Sequence, residues 1–535
     1  MADTVHADFC VVGAGPAGAV LASALAQAGK SVLVVEQGRS YGPETRAAIL
    51  DERNRRLLGE LGVDFDDHWP TDFDNAGVIT AGKDRWGYGS VAGVGGASLH
   101  WSASTPRPLE DDMRVRTRFG YGRDWPISYA ELEPWLVRAE HEIGVAANAD
   151  NPYASPRSGD FPMPAHPFSH FERAIFAPAA RKLGWTAHSR PNAINSVARD
   201  GRPGCIACRA CSACPSGAKY TADRVHVPRL LAAPAGKMMT GTKLVRLECT
   251  PDGRRIARAH AVRMDDRAAV VIEADAFVLA MGGVETPRML LLSGDDRHHR
   301  GGLGNAGGQV GAGFSDHLMS LFWMILDRPV GNALGYPAMG CDHFRPNAAR
   351  DQYGSFYISL YPVPHEGDWA PAEMFSRLAT RGDVLSLDAM RAALTRGVAG
   401  YAMHELGDTH RMDLDPTDKD AFGNPLPRVT ITLTDWERAG PLQMQRVLAD
   451  MAGAFGAEVG EGWSDGNFWF ASHPSGGTAM GRSPEDGACD ANLRVFGVDN
   501  LYLASSSTFP HQGANNPTLT AVALALRLAA HLGGA

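Results

Sequence analysis

The stretch from Phe9 to Gly38 restricts the fold of this chain more than any other. Phe9-Cys10-Val11-Val12 is an apolar run, Gly13-Ala14-Gly15-Pro16-Ala17-Gly18 interrupts it, and Ala19 to Ala28 is rich in Ala and Leu. That composition predicts a helix closed by Gly29, and Ser31-Val32-Leu33-Val34-Val35 predicts a second buried strand ending on Glu36, 23 positions after Gly13 (36 − 13). A GxGxxG match standing alone is weak. Set between a strand and a helix, with an acid at that distance, it specifies a dinucleotide site. Gly13 allows the tight turn, Gly15 lets backbone approach a pyrophosphate, and Gly18 lets helix and strand meet closely. The helix N-terminus offers its unpaired N–H groups to phosphate. Glu36 can accept from ribose hydroxyls and its charge opposes a 2′-phosphate, so the ligand is ADP-like, as in FAD or NAD.

A chain of 535 residues exceeds what one compact core holds, so two closely connected domains are expected. Its composition, 44% apolar and 21% charged with 60 glycines, is that of a globular enzyme with many tight turns. A net charge of −9 with no basic stripe predicts no nucleic-acid partner and no docking on an anionic membrane. Met1 to Asp8 contains no cationic segment leading into an apolar core, and no run of about 18 apolar residues follows. Taken by itself the sequence predicts a cytoplasmic chain without a membrane span. Of its 8 cysteines, four crowd into one loop as Cys205, Cys208, Cys211 and Cys214. The others, Cys10, Cys249, Cys341 and Cys489, are scattered and read as small apolar residues. This is the usage of a reducing compartment with one thiolate site.

Further along, Tyr41 to Trp69 is polar and irregular, and Tyr88 to Trp101 is dense in glycine before ending on His100-Trp101. Glycine with apolar spacers at that place predicts backbone pressed against a planar ligand. Ser128 and Glu131 form a capping-box signature for a helix from Tyr129 to Glu142, and Asn151 to Pro167 reads as a loop. Alternation from Leu244 to Phe277 predicts sheet, and the apolar run into Gly282-Gly283 with a helix from Glu285 to Leu292 returns the chain to the nucleotide-binding sheet. Between Leu318 and Asp435 the composition shifts to Tyr, Met, Trp and Pro with strand-like alternation, as in Arg428 to Leu433, which predicts an antiparallel substrate domain. An amphipathic helix is expected over Leu442 to Ala457 and an apolar helix over Leu519 to Leu532.

Six separated stretches then occur in a fixed order. They are GAGPAG with Glu36; Gly95-Gly96-Ala97-Ser98-Leu99-His100-Trp101; Met281 to Arg288; Val310-Gly311 with Asp316-His317; His473-Pro474-Ser475-Gly476-Gly477; and Phe509-Pro510 with Asn515-Asn516-Pro517-Thr518. Over nearly its whole length the chain resembles the glucose-methanol-choline oxidoreductases, flavoenzymes that oxidise alcohols with FAD. The resemblance implies an α/β fold with a discontinuous Rossmann-type FAD-binding domain, residues 1–110, 215–315 and 465–535. It implies a second, α+β substrate domain built on an antiparallel sheet, residues 111–214 and 316–464, with a cysteine-rich loop at 204–218. FAD becomes the expected ligand, held by Gly13, Gly15, Gly18, Glu36, Gly95, Gly96, Ser98, His100, Trp101, Val245, Pro517 and Thr518.

Alcohol oxidation sends a hydride to flavin N5 and a proton to a base. His473 is the expected base, since an imidazole titrates near neutrality, and Asn516 is expected to orient the alcohol through its amide. Asn515 is an alternative to Asn516, His511 a secondary candidate, and His404 and Glu405 either face the site or form a surface salt bridge. His100 matches the position where some sugar-oxidising relatives attach the flavin covalently; a covalent link and non-covalent packing both stay open. Cys205, Cys208, Cys211 and Cys214, ending Cys214-Pro215, are similar to a ferredoxin run with one residue fewer before the last cysteine. The segment Cys214-Pro215-Ser216-Gly217-Ala218 also resembles that of the membrane-associated sugar dehydrogenases, which carry a three-iron cluster on cysteines at wider intervals. A 3Fe-4S or 4Fe-4S iron–sulfur cluster, reduced cysteines and a structural crosslink are the alternatives. With a cluster, the chain is a sugar, glycoside or polyol dehydrogenase passing electrons to a cytochrome or quinone. It would then work with a small accessory subunit and a cytochrome c subunit, and be periplasmic or membrane-associated by export with the partner. Without one, it is a stand-alone alcohol oxidase using oxygen, its cysteines structural.

Overall fold

The computed structural model describes residues 3–42, 71–72, 77–87, 89–208, 210–211, 213–331, 335, 337–362, 388, 395–459 and 469–533. Most of the irregular Tyr41 to Trp69 segment, and Tyr88, lie outside the described residues.

The strand Asp3–Val12 is the spine of a seven-stranded sheet. It pairs in parallel with Val32–Val35 on one side and Ala269–Leu279 on the other, in register Val12 with Val35 and with Leu279. Gly236–Met239 extends one edge in parallel, and Leu501–Leu503 pairs in parallel with the end of Ala269–Leu279. The first half of Ala269–Leu279 instead joins an antiparallel meander with Ile256–Arg263 and Thr242–Cys249. Val32 to Val35 are buried throughout, as expected for a parallel strand covered on both faces. Helix Pro16–Gln27 packs against the helices Ala222–Ala232 and Thr518–Gly533.

A second, antiparallel sheet of five strands runs Phe356–Pro362, Gly397–Glu405, His317–Leu326 and Ala457–Val459, with Trp469–Phe470 also paired to His317–Leu326. Helix Asp435–Phe455 covers it, burying Met444, Leu448, Met451 and Phe455 against Phe322, Met324, Ile358 and Val398. Arg428 to Leu433 does not join this sheet. Strand Pro425–Ile431 lies in a separate four-stranded sheet between His410–Lys419 and Ile79–Gly82.

Two helices begin earlier than their apolar pattern indicates. Helix Asp435–Phe455 starts at a capping box of Thr434 and Glu437 and runs through Pro441, ending at left-handed Gly456. Helix Gly282–Leu292 includes its glycines because Gly283 abuts the loop after His473; a Cβ there would stand 2.1 Å from Pro474 O. Tyr129–Ile143 has the expected Ser128–Glu131 cap, and Leu132, Leu136 and Ile143 pack into the core shared with the seven-stranded sheet. No helix among the described residues is long and apolar enough to cross a membrane.

Candidate active site

The glycine turn is as tight as its sequence demands. Gly13 has φ 106° and a Cβ there would lie 2.4 Å from Ala280 O, while at Gly18 it would lie 2.1 Å from Gly13 O. Gly15 differs, since nothing lies within 4 Å of an added Cβ, leaving space over the start of helix Pro16–Gln27. Glu36 is buried and ties the turn together: Ala14 N donates to Oε2 (2.9 Å) and Gly38 N to Oε1 (2.8 Å). Burial pushes its carboxyl above the usual range, and the backbone donors pull it down. Thr242 N donates to Glu36 O (3.0 Å), anchoring the strand that carries Val245 beside the acid.

The segment from Gly95 to Trp101 lies against this turn. Gly95 N donates to Ala14 O (3.1 Å), and a Cβ on Gly96 would come within 3.0 Å of Gly15 Cα. Ser98 points inward, donating to Gly95 O (2.6 Å) and accepting from Ala222 N (3.0 Å), so its hydroxyl braces the turn. Trp101 Nε1 donates to Tyr220 O (2.9 Å). Buried Lys219 donates to Leu99 O and Trp101 O, both at 3.0 Å, clamping the backbone on either side of His100. His100 Nδ1 is buried with no partner among the described residues, and burial, then Lys219, lowers its pKa to about 4.

The strand His317–Leu326, the loop at His473 and the segment before helix Thr518–Gly533 converge on one centre. His473 follows Ser472, held at φ 58°, and its N–H donates to Asp316 Oδ1 (2.9 Å). Asn516 Nδ2 donates to His473 Nε2 (3.2 Å). Pro517 keeps Asn516 out of the helix that begins at Thr518, so its amide faces the histidine. Asn515 turns away, and with its amide oriented to pair both ends its nitrogen donates to Gln512 O (2.9 Å) and Asp112 Oδ2 (3.3 Å). Burial first, then His317 and Arg190, drive the His473 pKa well below its ordinary value, which keeps the ring neutral.

His317 touches the other face of the base, its Nδ1 lying 3.2 Å from His473 Nδ1 and its Nε2 2.7 Å from Gly513 O. Asp316 accepts from His317 N, His473 N and Trp86 Nε1; burial pushes its carboxyl up to about 7. Asp316, His317 and His473 are close enough to suggest a metal site, but these hydrogen bonds engage their ligand atoms. Neither His404 nor Glu405 is on the surface. Glu405 is buried among Arg350, Tyr121 and His511, whose Nε2 lies 2.6 Å from it, and His404 Nε2 pairs with Ser320 Oγ (2.8 Å).

Sequence reasoning missed Arg190, Tyr357 and Tyr401, which form the wall beside Asn516. Arg190 Nη2 donates to Tyr357 OH (3.0 Å) and Tyr401 OH (2.6 Å), and Nη1 donates to Ser359 Oγ (2.7 Å). Tyr357 OH donates in turn to Asn516 Oδ1 (3.3 Å). Strand pairing gathers these tyrosines from Phe356–Pro362 and Gly397–Glu405, a relation no linear motif carries.

The cysteine loop packs on the core shared with the seven-stranded sheet. Cys214 is buried, Cys205 partly so and Cys208 exposed, and no three of the described cysteines bring their sulfurs within 4.8 Å of one another. Ala207 N donates to Cys205 Sγ (3.4 Å) and Lys219 N to Cys214 Sγ (3.3 Å). Ala207 and Cys214 have positive φ, 54° and 36°, folding the loop back on itself. Through consecutive residues, Lys219 connects Cys214 to the backbone around His100.

The chain is 31% identical over 545 residues to the fructose dehydrogenase large subunit of Gluconobacter japonicus, covering 98% of each. It is 25% identical to the gluconate 2-dehydrogenase flavoprotein of Pantoea cypripedii, over 97% of this chain and 92% of the relative. The 2-methyl-1,2-propanediol dehydrogenase of Mycolicibacterium austroafricanum is 27% identical, over 97% and 94%. Pyridoxine 4-oxidase from Mesorbium loti shares the fold, with a TM-score of 0.63, 18% identity and 99% of each chain covered. Family models for the two parts of a GMC oxidoreductase match residues 11–319 and 410–525, and the chain belongs to that family.

Proposed function

We propose that this GMC oxidoreductase oxidises a CH–OH group of a sugar, glycoside or related polyol, with His473 as the base and Asn516 orienting the alcohol. FAD-dependent oxidation of alcohols is the chemistry of its family. The residues present fit FAD: open space at Gly15 beside a helix N-terminus suits a pyrophosphate, the carboxylate of Glu36 suits ribose hydroxyls, and buried His100 Nδ1, unpartnered among the described residues, suits a polar ligand atom. Gly13, Gly18, Gly95, Gly96, Ser98 and Trp101 shape that cradle, and Val245, Pro517 and Thr518 border it. When bound, FAD supplies the hydride acceptor. His473 Nε2 takes the hydroxyl proton, Asn516 Nδ2 donates to the substrate oxygen, and burial, then the Arg190 charge, keeps the imidazole neutral beforehand.

The observation that carries the substrate class is the polar wall of Arg190, Tyr357 and Tyr401 continuous with Asn516. Several donors fixed around one alcohol suit a polyhydroxylated substrate, whose further hydroxyls need partners once water is excluded. Named relatives act on fructose and gluconate, which supports the same class.

We further propose that Cys205, Cys208, Cys211 and Cys214 bind an iron–sulfur cluster carrying electrons outward to a cytochrome c subunit or quinone, beside a small accessory subunit. The N–H donors aimed at two of the sulfurs support this, because such bonds stabilise thiolate ligands. In this reading residues 1–110, 215–315 and 465–535 form the FAD-binding domain, 111–214 and 316–464 the substrate domain, and the complex is periplasmic or membrane-associated. His100 meets the flavin through a bond or a packing contact, which acid precipitation decides by whether the flavin stays with the protein.

The test is anaerobic purification, followed by iron and acid-labile sulfide analysis and by visible spectra before and after adding sugars. Flavin absorbance should bleach with a sugar or polyol. His473→Gln should keep the flavin and slow bleaching by about 10²- to 10⁴-fold. Peroxide formation from oxygen by an iron-free protein would remove the cluster and leave the flavin chemistry standing.

A further inference from the structure

His317 stands in a position that the reading of His473 as base leaves unused, and the inference drawn here rests on that reading. Two carbonyl and amide contacts decide where its protons sit. Gly513 O can only accept, so His317 Nε2, at 2.7 Å, carries a proton and donates it. A neutral imidazole has one N–H, so His317 Nδ1 is a bare lone pair. It lies 3.2 Å from His473 Nδ1, which therefore carries the proton that joins the two rings. His473 Nε2 is left bare, as its contact with the Asn516 amide nitrogen also requires (3.2 Å). The chain of bonds from Gly513 to Asn516 thus sets the basic nitrogen on the side where Asn516 holds the alcohol.

We propose that His317 is a positioning residue that receives the second proton of a two-imidazole relay. The alcohol O–H breaks as His473 Nε2–H forms. The His473 Nδ1–H bond then breaks as His317 Nδ1–H forms, while the hydride carries both electrons from carbon to the flavin. The products on the chain are a neutral His473 with its proton on the other nitrogen and a His317 imidazolium donating from both ring nitrogens. Its new donor is accommodated by Gln512. Gln512 Nε2 now lies 3.2 Å from His317 Nδ1, while buried Gln512 Oε1 has no partner among the described residues. Rotating that amide presents the oxygen to the new N–H.

The charged and titratable groups around His317 come from several elements. Asp316 precedes it on its own strand, and Glu405 and His404 stand on the paired strand, Glu405 directly in register. Asp112 approaches beneath Gly513, where an added Cβ would lie 2.4 Å from its Cγ, and His511 comes from the same loop as Gly513. Arg350 bridges Asp112 (2.6 Å) and Glu405 (2.9 Å), and the Arg190 charge acts on His473. Burial, with His511, lowers the His317 pKa to about 4, while the Gly513 carbonyl and the carboxylates Glu405 and Asp112 pull in the other direction. The balance suits transient rather than resting protonation.

The test separates orientation from proton acceptance. In His317→Asn the side-chain oxygen replaces Nδ1 and still accepts from His473, but takes no proton; His317→Leu offers neither. With flavin content and thermal midpoint recorded for each, the relay requires both variants to lose about tenfold or more in kcat with KM little changed. Each should also move the acid limb of the pH profile upward, because His317 is one of the groups that hold the His473 value down. His317→Asn with near wild-type kcat, whether or not His317→Leu is impaired, overturns the relay. If either variant sheds its flavin, Gln512→Glu tests the intact pair. A carboxylate beside His317 should move the acid limb of kcat/KM upward by about one unit, and an unmoved limb overturns the proposal. His473→Gln runs alongside. If it keeps wild-type turnover, the base assignment fails, a result distinct from failure of the relay alone.

Discussion

Removing the hydroxyl of Tyr357 isolates how the wall governs the base. In Tyr357→Phe the ring stays buried, while Asn516 Oδ1 loses its donor at 3.3 Å and Arg190 Nη2 loses one acceptor but keeps Tyr401 at 2.6 Å. Arg190 donates to the Tyr357 oxygen, leaving the tyrosine proton for Asn516 Oδ1 (3.3 Å) rather than the weaker acceptor Met403 Sδ (3.7 Å), and this bond helps hold the Asn516 nitrogen on His473 Nε2. An unsatisfied buried acceptor costs about 1–2 kcal/mol. If that is felt when Asn516 binds the alcohol, kcat/KM falls by about 5- to 30-fold at constant flavin content. Stopped-flow flavin reduction at varied sugar concentration measures it directly. Repeating the change in an Asn516→Ala background completes a double-mutant cycle. The effect should vanish there, because the group through which Tyr357 acts is gone. An equal loss in both backgrounds would show that Tyr357 acts on substrate or fold independently, and the proposed chain from Arg190 to His473 would be wrong.

Two glycine replacements should fail in different ways. Gly18→Ala drives a methyl to 2.1 Å from Gly13 O and should destabilise the domain by about 3 kcal/mol, seen as a lower thermal midpoint. Gly15→Ala meets no protein atom within 4 Å and should keep the apoprotein midpoint while weakening FAD binding in a flavin titration. Because the His473 pKa is held below its ordinary value, the acid limb of kcat/KM should lie under about pH 6.5. Arg190→Met removes a positive charge and should move that limb upward. Glu142 accepts from His226 Nε2 (3.4 Å) and from Arg229 (2.8 Å), lowering its pKa to about 2. Its contribution is present above the unfolded carboxyl value and is lost as pH falls through about 2. Glu142→Gln should therefore lower the midpoint at pH 7, by about 1 kcal/mol after solvent screening, and have no effect near pH 2.

Local chemistry made much of this molecule legible. The turn at Gly13, Gly15 and Gly18, the reach to Glu36 and the Ser128 cap are short-range devices, and each formed as its residues dictate. The start of helix Asp435–Phe455 was also written locally, in Thr434 and Glu437, but Gly440 and Pro441 suggest a break. The helix absorbs them because Gly440 gives room to His404, whose Nδ1 would lie 3.1 Å from a Cβ at that position. His473 and Asn516 could be named from motifs, yet their contact could not, since it depends on two loops separated by a strand and a 3₁₀ turn. His317, Arg190 and the two tyrosines were hidden for a stronger reason. The roles of His317 and the two tyrosines follow from antiparallel register, such as His317 opposite Glu405, and a shift of one residue would turn those side chains to the other face, while Arg190 reaches them from just beyond strand His188–Ser189.

Leu501–Leu503 pairs with residues 277–279, which pair in turn with residues 9–12. Segments that meet side by side are thus made far apart in the order of synthesis. A ribosome must deliver residue 503 before the nucleotide platform gains its last inner neighbour, so the earlier strands wait with an open edge. Holding chaperones during that interval should matter more for yield than the intrinsic stability of the finished enzyme.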